Sequence, residues 1–368
     1  MKTKLTKQEK NWILYDVGNS AFTLLAATIL PIYFNYIAGK QGLSDVQYLA
    51  YWGYAVSIAT LLTALAGPVF GTVADTKGYK KPVFTIALGI GAIASVALGF
   101  AKYWLAFLVV FVIAKVGYSV TLVFYDSMLV DVTLEDRMDE VSSQGYAWGY
   151  IGSCVPFVIC LLVVLNAGKI GITMEIAMMV SFVIITVWWV IMTLPLLKTY
   201  HQKYYVEKKQ HAFSESFKRI GITLKNVKKE KKVFLFLLAF FFYIDGVCTI
   251  IDMATAYGSA LGLSSTGLLL ALLLTQIVAF PFAIIFGRLA KKYSAEKLIT
   301  VCIVAYLGVA IFAIFLHYQW QFWVLAVWVG MFQGGVQALS RSYFTKIIPA
   351  NQSCLLYTSP SPRDGATS

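Results

Sequence analysis

Ten long apolar stretches constrain the fold of this chain more strongly than any other feature. About twenty mainly apolar residues suffice to cross the hydrocarbon core of a bilayer. Lipid offers no partners to backbone N–H and C=O groups, so each stretch is predicted to be a helix. The predicted spans are 11–38, 47–70, 82–101, 103–125, 146–166, 172–197, 233–258, 266–287, 298–316 and 321–345. The sequence therefore predicts an all-α polytopic membrane protein with about ten transmembrane helices.

Composition agrees with a membrane protein and argues against an enzyme. Apolar residues make up 59% of the chain and charged residues 13%, too few to cover the surface of a soluble domain. The three histidines, His201, His211 and His317, lie outside the spans and lack the spacing of metal ligands. The sequence contains no phosphate-binding Walker loop, which argues against an ATP-driven pump. We therefore expect no enzymatic activity, no metal and no cofactor.

The positive charge lies mostly on one side of the predicted membrane. The net charge is +12, and 25 of the 30 lysines and arginines fall in segments that share a side with the amino terminus. The loops on the other side contain Lys40, Lys102 and Lys169. This asymmetry follows the positive-inside rule and predicts a cytoplasmic-membrane protein with its amino terminus inside. It also indicates contact with membrane lipids rather than with nucleic acid, and no cleavable signal peptide is expected.

Two loops of similar sequence lie 216 residues apart, each between two predicted spans. They are Gly71–Lys81, which reads Gly-Thr-Val-Ala-Asp-Thr-Lys-Gly-Tyr-Lys-Lys, and Gly287–Lys297. The first resembles the Gly-x-x-x-Asp-x-x-Gly-x-Lys/Arg-Lys/Arg loop of the major facilitator superfamily, and the second resembles a degraded copy. In that family the loop follows the second helix of each six-helix half. The resemblance implies a major facilitator fold with two parallel halves of six helices.

A second pair of segments supports this division of the chain. Asp126–Asp131 and Arg341–Lys346 lie 215 residues apart, with opposite charges at equivalent positions. A basic amphipathic helix is predicted at 213–227, lying on the membrane surface as part of a linker. The predicted units are a first half at 1–197, a cytoplasmic basic linker at 198–232, an incomplete second half with helices 7–10 at 233–353, and a non-native tail at 354–368.

Four further motifs narrow the resemblance. They are Tyr146–Gly152, Tyr243–Ile251, Met253–Gly258 and Gln333–Ser342. They are similar to motifs of the "unknown major facilitator" group, which is related to a fungal vacuolar amino-acid effluxer. The resemblance covers residues 11–353 and implies a transporter, without settling its solute.

The tail at 354–368 resembles one reading frame of a sequencing adapter. If it is adapter read-through, helices 11 and 12 of the fold are missing from this sequence. We then expect a tail that packs against nothing. In the family, Asp75 caps the inner end of helix 11, so we also expect Asp75 to lose that cap.

Several polar residues fall within spans that line the central cavity of facilitators, namely the first, fourth, seventh and tenth. Ionisable groups inside a membrane are costly and mark function by default. Lys115 lies about 18 Å into its span at 1.5 Å per residue. We expect it to meet an anionic group of the solute, and Asp245 or Asp252 to meet an amine or a proton. The predicted solute- and ion-binding residues are Lys115, Asp245, Asp252, Asn19, Gln333 and Gln337.

A second set of residues is predicted to gate the cytoplasmic side. The family resemblance assigns this role to the first loop and to the charged ends of spans 4 and 10. Lys291 stands in the second loop where an Asp is often found, which predicts a weaker lock. Gly145, Gly149 and Gly152 are predicted to pack against the eighth span. The predicted gating residues are Asp75, Gly71, Gly78, Lys77, Lys80, Lys81, Asp126, Asp131 and Arg341.

The sequence is best interpreted as that of a monomeric secondary transporter working by alternating access. Amino acids suit a site that offers both a lysine and a carboxylate, and buried carboxylates make coupling to protons plausible. Export follows from the resemblance. The alternatives are a transporter of another small solute, such as a sugar or a drug, and a non-transporting membrane receptor or scaffold.

Overall fold

The computed structural model describes residues 4–207, 231–350 and 353–354. Within these ranges it leaves the side chains of residues 45, 252–253, 255–256, 259–260 and 265–266 undescribed. The linker helix predicted at 213–227 and residues 355–368 of the predicted non-native tail lie outside the described residues.

Ten long helices make up the described chain, and all ten are long and apolar enough to cross a membrane. They are α1 (Lys7–Lys40), α2 (Asp45–Ala74), α3 (Lys80–Ala97), α4 (Trp104–Ser127), α5 (Met138–Leu165), α6 (Met174–Thr199), α7 (Lys231–Ala260), α8 (Ser265–Leu289), α9 (Ala295–Ile314) and α10 (Gln319–Ile347). The predicted all-α membrane fold and its ten spans are therefore confirmed.

Local sequence sets where these helices begin and end. Thr6 caps α1 in a reciprocal pair with Glu9, which starts the helix four residues before the predicted span. Gly42 and Gly262 end α1 and α7 with φ values of +80° and +76°. Each is followed by Leu and then by a serine that caps the next helix. The same Gly-Leu-Ser turn at equivalent places is a third trace of the repeat.

The bundle has two chemically different ends. The basic end holds the start of α1 and the segments that follow α2, α4, α6 and α8, together with a short helix at Leu129–Val132. The distal end holds the turns that follow α1, α3, α5, α7 and α9. By the positive-inside rule, the sequence predicts that the basic end faces the cytoplasm.

The apolar interior falls into two main clusters. One joins residues of α1–α6, with Trp12, Phe22 and Trp189 buried within it, and the other joins residues of α7–α10. Helix α5 links them, because it packs against α1 on one face and against α8 and α10 on another. The predicted boundaries of the halves stay a prediction.

The glycines of α5 lie against α1. A Cβ at Gly149 would come within 2.7 Å of Ser20 Oγ, and one at Gly152 within 2.5 Å of Val17 Cγ1. Real side chains do not approach so closely, so only glycine permits this spacing of the two helices. The prediction that these residues pack against the eighth span is therefore wrong, since the close approach is to the first.

Candidate functional site

Arg341 of α10 joins the two halves of the bundle at its basic end. Its guanidinium lies 3.1 Å from Asp16 Oδ2 of α1, through both NH1 and NH2, and 3.3 Å from Asp126 Oδ1 of α4. All three residues are at least 95% buried. We call Arg341, Asp16 and Asp126 the inter-half ion cluster. Two carboxylates of the first half thus share one cation of the second.

The surroundings of Arg341 fix the direction of its guanidinium. Nε donates to Ser142 Oγ at 2.8 Å, and NH2 donates to the Ser142 carbonyl oxygen at 2.9 Å. The rings of Trp12, Tyr125 and Tyr146 lie 4.2–5.4 Å from the guanidinium carbon, within the range of a cation–π contact. A buried arginine is tolerated when carboxylates balance its charge and acceptors bind its N–H groups. Arg341 has both, so this environment can hold its charge inside a closed interface.

Further polar contacts between the halves come from the first turns of α5. Lys346 Nζ lies 2.6 Å from Asp139 Oδ2, and Ser342 donates to Asp139 Oδ1 at 2.6 Å. Lys291 Nζ lies 2.7 Å from Glu140 Oε2. Lys291 therefore forms an ion pair between the halves. The weaker lock predicted for its loop stays a prediction.

The distal end is held differently. Lys40 Nζ lies 2.6 Å from Glu175 Oε1, which joins α1 to α6 within the first half. Tyr257 donates to the Ala313 carbonyl oxygen at 3.0 Å, which joins α7 to α9 within the second. The ion pairs that Arg341, Lys346 and Lys291 form between the halves lie at the basic end.

The first residue of α3, Lys80, forms a second buried ion pair. Lys80 Nζ lies 3.2 Å from Asp131 Oδ2, and both side chains have no exposed surface. Asp131 also accepts from the Tyr200 hydroxyl at 2.5 Å and from the amides of Lys203 and Tyr204 at 2.9 and 3.0 Å. Burial beside this carboxylate raises the pKa of Tyr200 well above its usual value, so the hydroxyl stays a donor.

Residues 200–207, which we call the strap segment, cross the loop at Gly71–Lys81, which we call the gate loop. The Val206 amide donates to the Asp75 carbonyl oxygen at 2.8 Å, and the Lys77 amide donates to the Val206 carbonyl oxygen at 3.1 Å. Lys77 Nζ lies 3.5 Å from Glu207 Oε1, whereas Asp126 and Asp131 bind Arg341 and Lys80. Lys81 is exposed, and Gly78 has a φ of +79°, which its turn requires.

Asp75 keeps a cap, contrary to expectation. Its Oδ1 accepts from the amide of Cys354 at 2.9 Å, and Ser353 and Cys354 are helical and buried. Cys354 Sγ lies 2.8 Å from Ser127 Oγ. The expectation of a tail that packs against nothing is therefore wrong for its first residue, because the carboxylate of Asp75 and the buried Lys80 provide polar partners there.

The predicted solute-binding residues lie at different depths and exposures. Asn19 is buried and donates to Asp16 Oδ1 at 3.3 Å, so it adjoins the inter-half ion cluster. Lys115 is half-buried on α4, one turn before Tyr118, whose hydroxyl bonds to Thr23 of α1. Asp245 is exposed on α7. The side chain of Asp252 lies outside the described residues.

Gln333 and Gln337 contact different neighbours although they lie one turn apart on α10. Gln337 Oε1 accepts from the Tyr150 hydroxyl of α5 at 2.6 Å, across the two halves. Gln333 is buried beside a groove of about 630 Å³ inside the second half. At the repeat offset its counterpart is Tyr118, whose ring packs against Trp189 of α6 at 5.8 Å. The structure does not bring the two glutamines together in one site.

Sequence reasoning missed most partners of the inter-half contacts. The predicted gating residues include Arg341 and Asp126, but not their partners Asp16 and Ser142, nor Asp139, Glu140 and Lys346. The acidic first turn of α5, opposite the basic loop after α8, was the one available signal. The remaining contacts join residues about 200 or more positions apart, which one sequence cannot pair.

Comparison with known proteins assigns the chain to a family. Residues 5–132 and 130–358 match the family described as "Vacuole effluxer Atg22 like". The chain belongs to this family. It is 44% identical over 354 residues to the MFS-type transporter YxiO of Bacillus subtilis (strain 168), covering 95% of this chain and 83% of the relative. It is 23% identical to Autophagy-related protein 22 of Vanderwaltozyma polyspora, covering 96% and 82% of the two chains.

Solved structures agree with the fold. A bacterial homologue of the iron transporter ferroportin, in an outward-facing state, aligns with a TM-score of 0.67 at 16% identity, covering 98% of this chain and 90% of the other. The major facilitator transporter FucP, in an outward conformation, aligns with a TM-score of 0.66 at 13% identity, covering 96% and 87%. The chain is therefore a multi-pass membrane transporter of the major facilitator type. Its relatives and structural neighbours support a transporter of small solutes rather than an enzyme.

Proposed function

We propose that the protein exports a small solute across the cytoplasmic membrane by alternating access, with amino acids as the solute class and protons as the coupling ion. The observation that carries the mechanism is the inter-half ion cluster, which ties α1 and α4 to α10 at the basic end. Such a contact has to break whenever the basic end opens, so it has two discrete states, as a gate requires.

The location of the polar contacts supports this mechanism. The ion pairs of Arg341, Lys346 and Lys291 join the halves at the basic end, while the pair of Lys40 and Glu175 at the distal end stays within the first half. In this arrangement the solute enters and leaves from the distal side. Rocking of one half against the other would break the contacts of Arg341, Lys346 and Lys291 and open the basic side.

The proposed solute site lies between α1, α4, α7 and α10. Lys115 is the proposed partner of a carboxylate, and Asp245 and Asp252 are the proposed partners of an amine or a proton. Asn19 adjoins the inter-half ion cluster through Asp16, so solute bound there would act directly on the gate. Amino acids carry both charges that such a pair of sites recognises.

Transport by vesicles tests the proposal. The full chain is reconstituted in proteoliposomes, and movement of labelled amino acids is followed with and without an imposed pH gradient. We expect gradient-dependent movement that Lys115→Gln reduces, while Lys169→Gln, an exposed lysine at the distal end, leaves it unchanged. Movement of a labelled sugar but of no amino acid would overturn the solute class, and movement that ignores the pH gradient would overturn proton coupling.

A further inference from the structure

A pocket opens at the basic end, beside the gate loop and away from the inter-half ion cluster. Its volume is about 590 Å³, and its wall includes Gly78, Lys81 and Ile86 with Tyr200, His201 and Gln202 of the strap segment. The candidate membrane span of α3 begins at Lys80, which assigns the pocket to the depth of the lipid headgroups of that leaflet.

The polar wall of the pocket is held in place from below. Gln202 Nε2 donates to the Ala74 carbonyl oxygen at 3.1 Å, and its Oε1 accepts from the Gly78 amide at 3.0 Å. Tyr200 is fixed by its bond to the buried Asp131. The side chains of Lys81 and His201 are exposed above this support and offer N–H donors and a positive charge to an anion.

An apolar stripe continues from the pocket along the outer face of α3. Ile86, Ile90 and Ile93 are 63%, 49% and 73% exposed, and they follow one another at steps of four and three residues. Side chains at these steps share one face of a helix. Together they cover about 10 Å of helix length at 1.5 Å per residue, and they run from the pocket towards the middle of the membrane.

We propose that this pocket binds the phosphate headgroup of an anionic membrane phospholipid, with an acyl chain lying along Ile86, Ile90 and Ile93. The N–H donors of Lys81 and His201 would meet the phosphate at the membrane surface. The apolar stripe would meet the acyl chain deeper in the bilayer. The bound headgroup contacts the gate loop and the strap segment together, so it stabilises the closed arrangement of the gate loop over Lys80 and Asp131. The inference concerns binding and does not depend on the identity of the transported solute.

Lipid binding to the full chain in detergent tests the proposal. Native mass spectrometry measures the dissociation constants of phosphatidylglycerol and phosphatidylcholine, and free glycerol 3-phosphate serves as the soluble headgroup. A basic residue near an anionic lipid contributes about 1 kcal/mol, which is about five-fold in affinity. We expect Lys81→Gln with His201→Gln to weaken phosphatidylglycerol binding about five-fold or more and to leave phosphatidylcholine unchanged. The matched control is Lys102→Gln with Lys169→Gln at the distal end.

Two further variants keep the test decisive if the double variant does not fold. Lys81→Arg keeps the charge and should retain the preference for phosphatidylglycerol. Ile90→Asn interrupts the stripe and should weaken binding of both lipids. Equal phosphatidylglycerol binding by the parent and the Lys81/His201 variant would overturn the proposal. Binding of free glycerol 3-phosphate as tight as that of the lipid would also overturn it, because the pocket would then recognise a soluble phosphate.

Discussion

At the scale of single residues, Arg341 forms the most deeply buried of the ion pairs between the halves. Arg341 is buried, meets two carboxylates and lies against three aromatic rings. A buried ion pair is costly to assemble, but removing one of its members costs more, because the charges that remain lose their counter-ion. The residue is thus suited to hold one closed state and to make partly open states unfavourable.

Replacing Arg341 should therefore destabilise the closed basic end. Arg341→Gln leaves Asp16 and Asp126 buried near each other, and we expect a loss of about 3–5 kcal/mol in the free energy of unfolding. The measurement is chemical unfolding in detergent, with Lys292→Gln, an exposed lysine of the α8–α9 loop, as the control. A variant as stable as the control would contradict a stabilising role for the cluster.

Gly145 should be as sensitive as the charges themselves. A Cβ at this position would overlap Asp16 Oδ2 and come within 3.0 Å of Arg341 NH2. Gly145→Ala should lower the thermal unfolding midpoint, although alanine favours helices by about 0.5–1 kcal/mol over glycine. Gly89→Ala is the matched control, since nothing lies within 4 Å of its Cβ, and it should raise the midpoint slightly. Equal shifts for the two variants would show that the space beside Asp16 is not limiting.

At the scale of elements, the two related loops make equivalent contacts with opposite chemistry. Asp75 of the gate loop accepts from the backbone at Cys354, after α10. Lys291 of the second loop pairs with Glu140 at the start of α5, after α4. The sequence offset between the partners follows that of the loops. The lysine that departs from the family pattern thus contacts the start of α5, while the aspartate contacts the backbone of Cys354.

The pair between Lys291 and Glu140 should give a small but reciprocal coupling. Both side chains are partly exposed, and exposed pairs contribute about 0.2–1 kcal/mol. Lys291→Glu should destabilise the protein by a comparable amount, and adding Glu140→Lys should restore most of the loss. A double-mutant cycle on unfolding free energies measures the coupling. Strictly additive effects would contradict direct pairing.

Most of the elements could be predicted from the sequence, but the pairing of residues could not. Apolar length alone located nine of the ten helices within four residues at each end. α5 begins eight residues before its predicted span, because its polar first turns are helical and dock on α8 and α10. The sequence named Arg341 and Asp126 as gating residues, yet the bond to Asp16 joins positions 325 residues apart. Buried contacts of that separation depend on the packing of three helices, which local patterns do not encode.

At the scale of the whole molecule, the polar contacts between the halves at the basic end should form and break together. Helix α5 presents Asp139 to Ser342 and Lys346 of α10. Fixing this contact covalently should prevent the halves from separating at that end. A solute site that opens to the distal side would still bind but would no longer turn over.

Cross-linking tests that expectation. With Asp139→Cys and Ser342→Cys joined by a short thiol-specific linker, we expect transport to fall at least ten-fold while solute binding persists, and reduction of a cleavable linker should restore transport. Each single cysteine variant treated in the same way is the control. Undiminished transport by the linked protein would mean that this interface does not open during the cycle.

The aromatic rings around Arg341 give the closed state an optical signature. Trp12 donates its indole N–H to the Tyr125 carbonyl oxygen at 3.0 Å, stacks on the Tyr125 ring and lies 4.6 Å from the guanidinium. Separation of α10 from α1 removes the cation from that ring and admits water beside it. The fluorescence emission maximum of Trp12 should therefore shift each time the basic end opens. This tryptophan is then an intrinsic fluorescent reporter of the transport cycle.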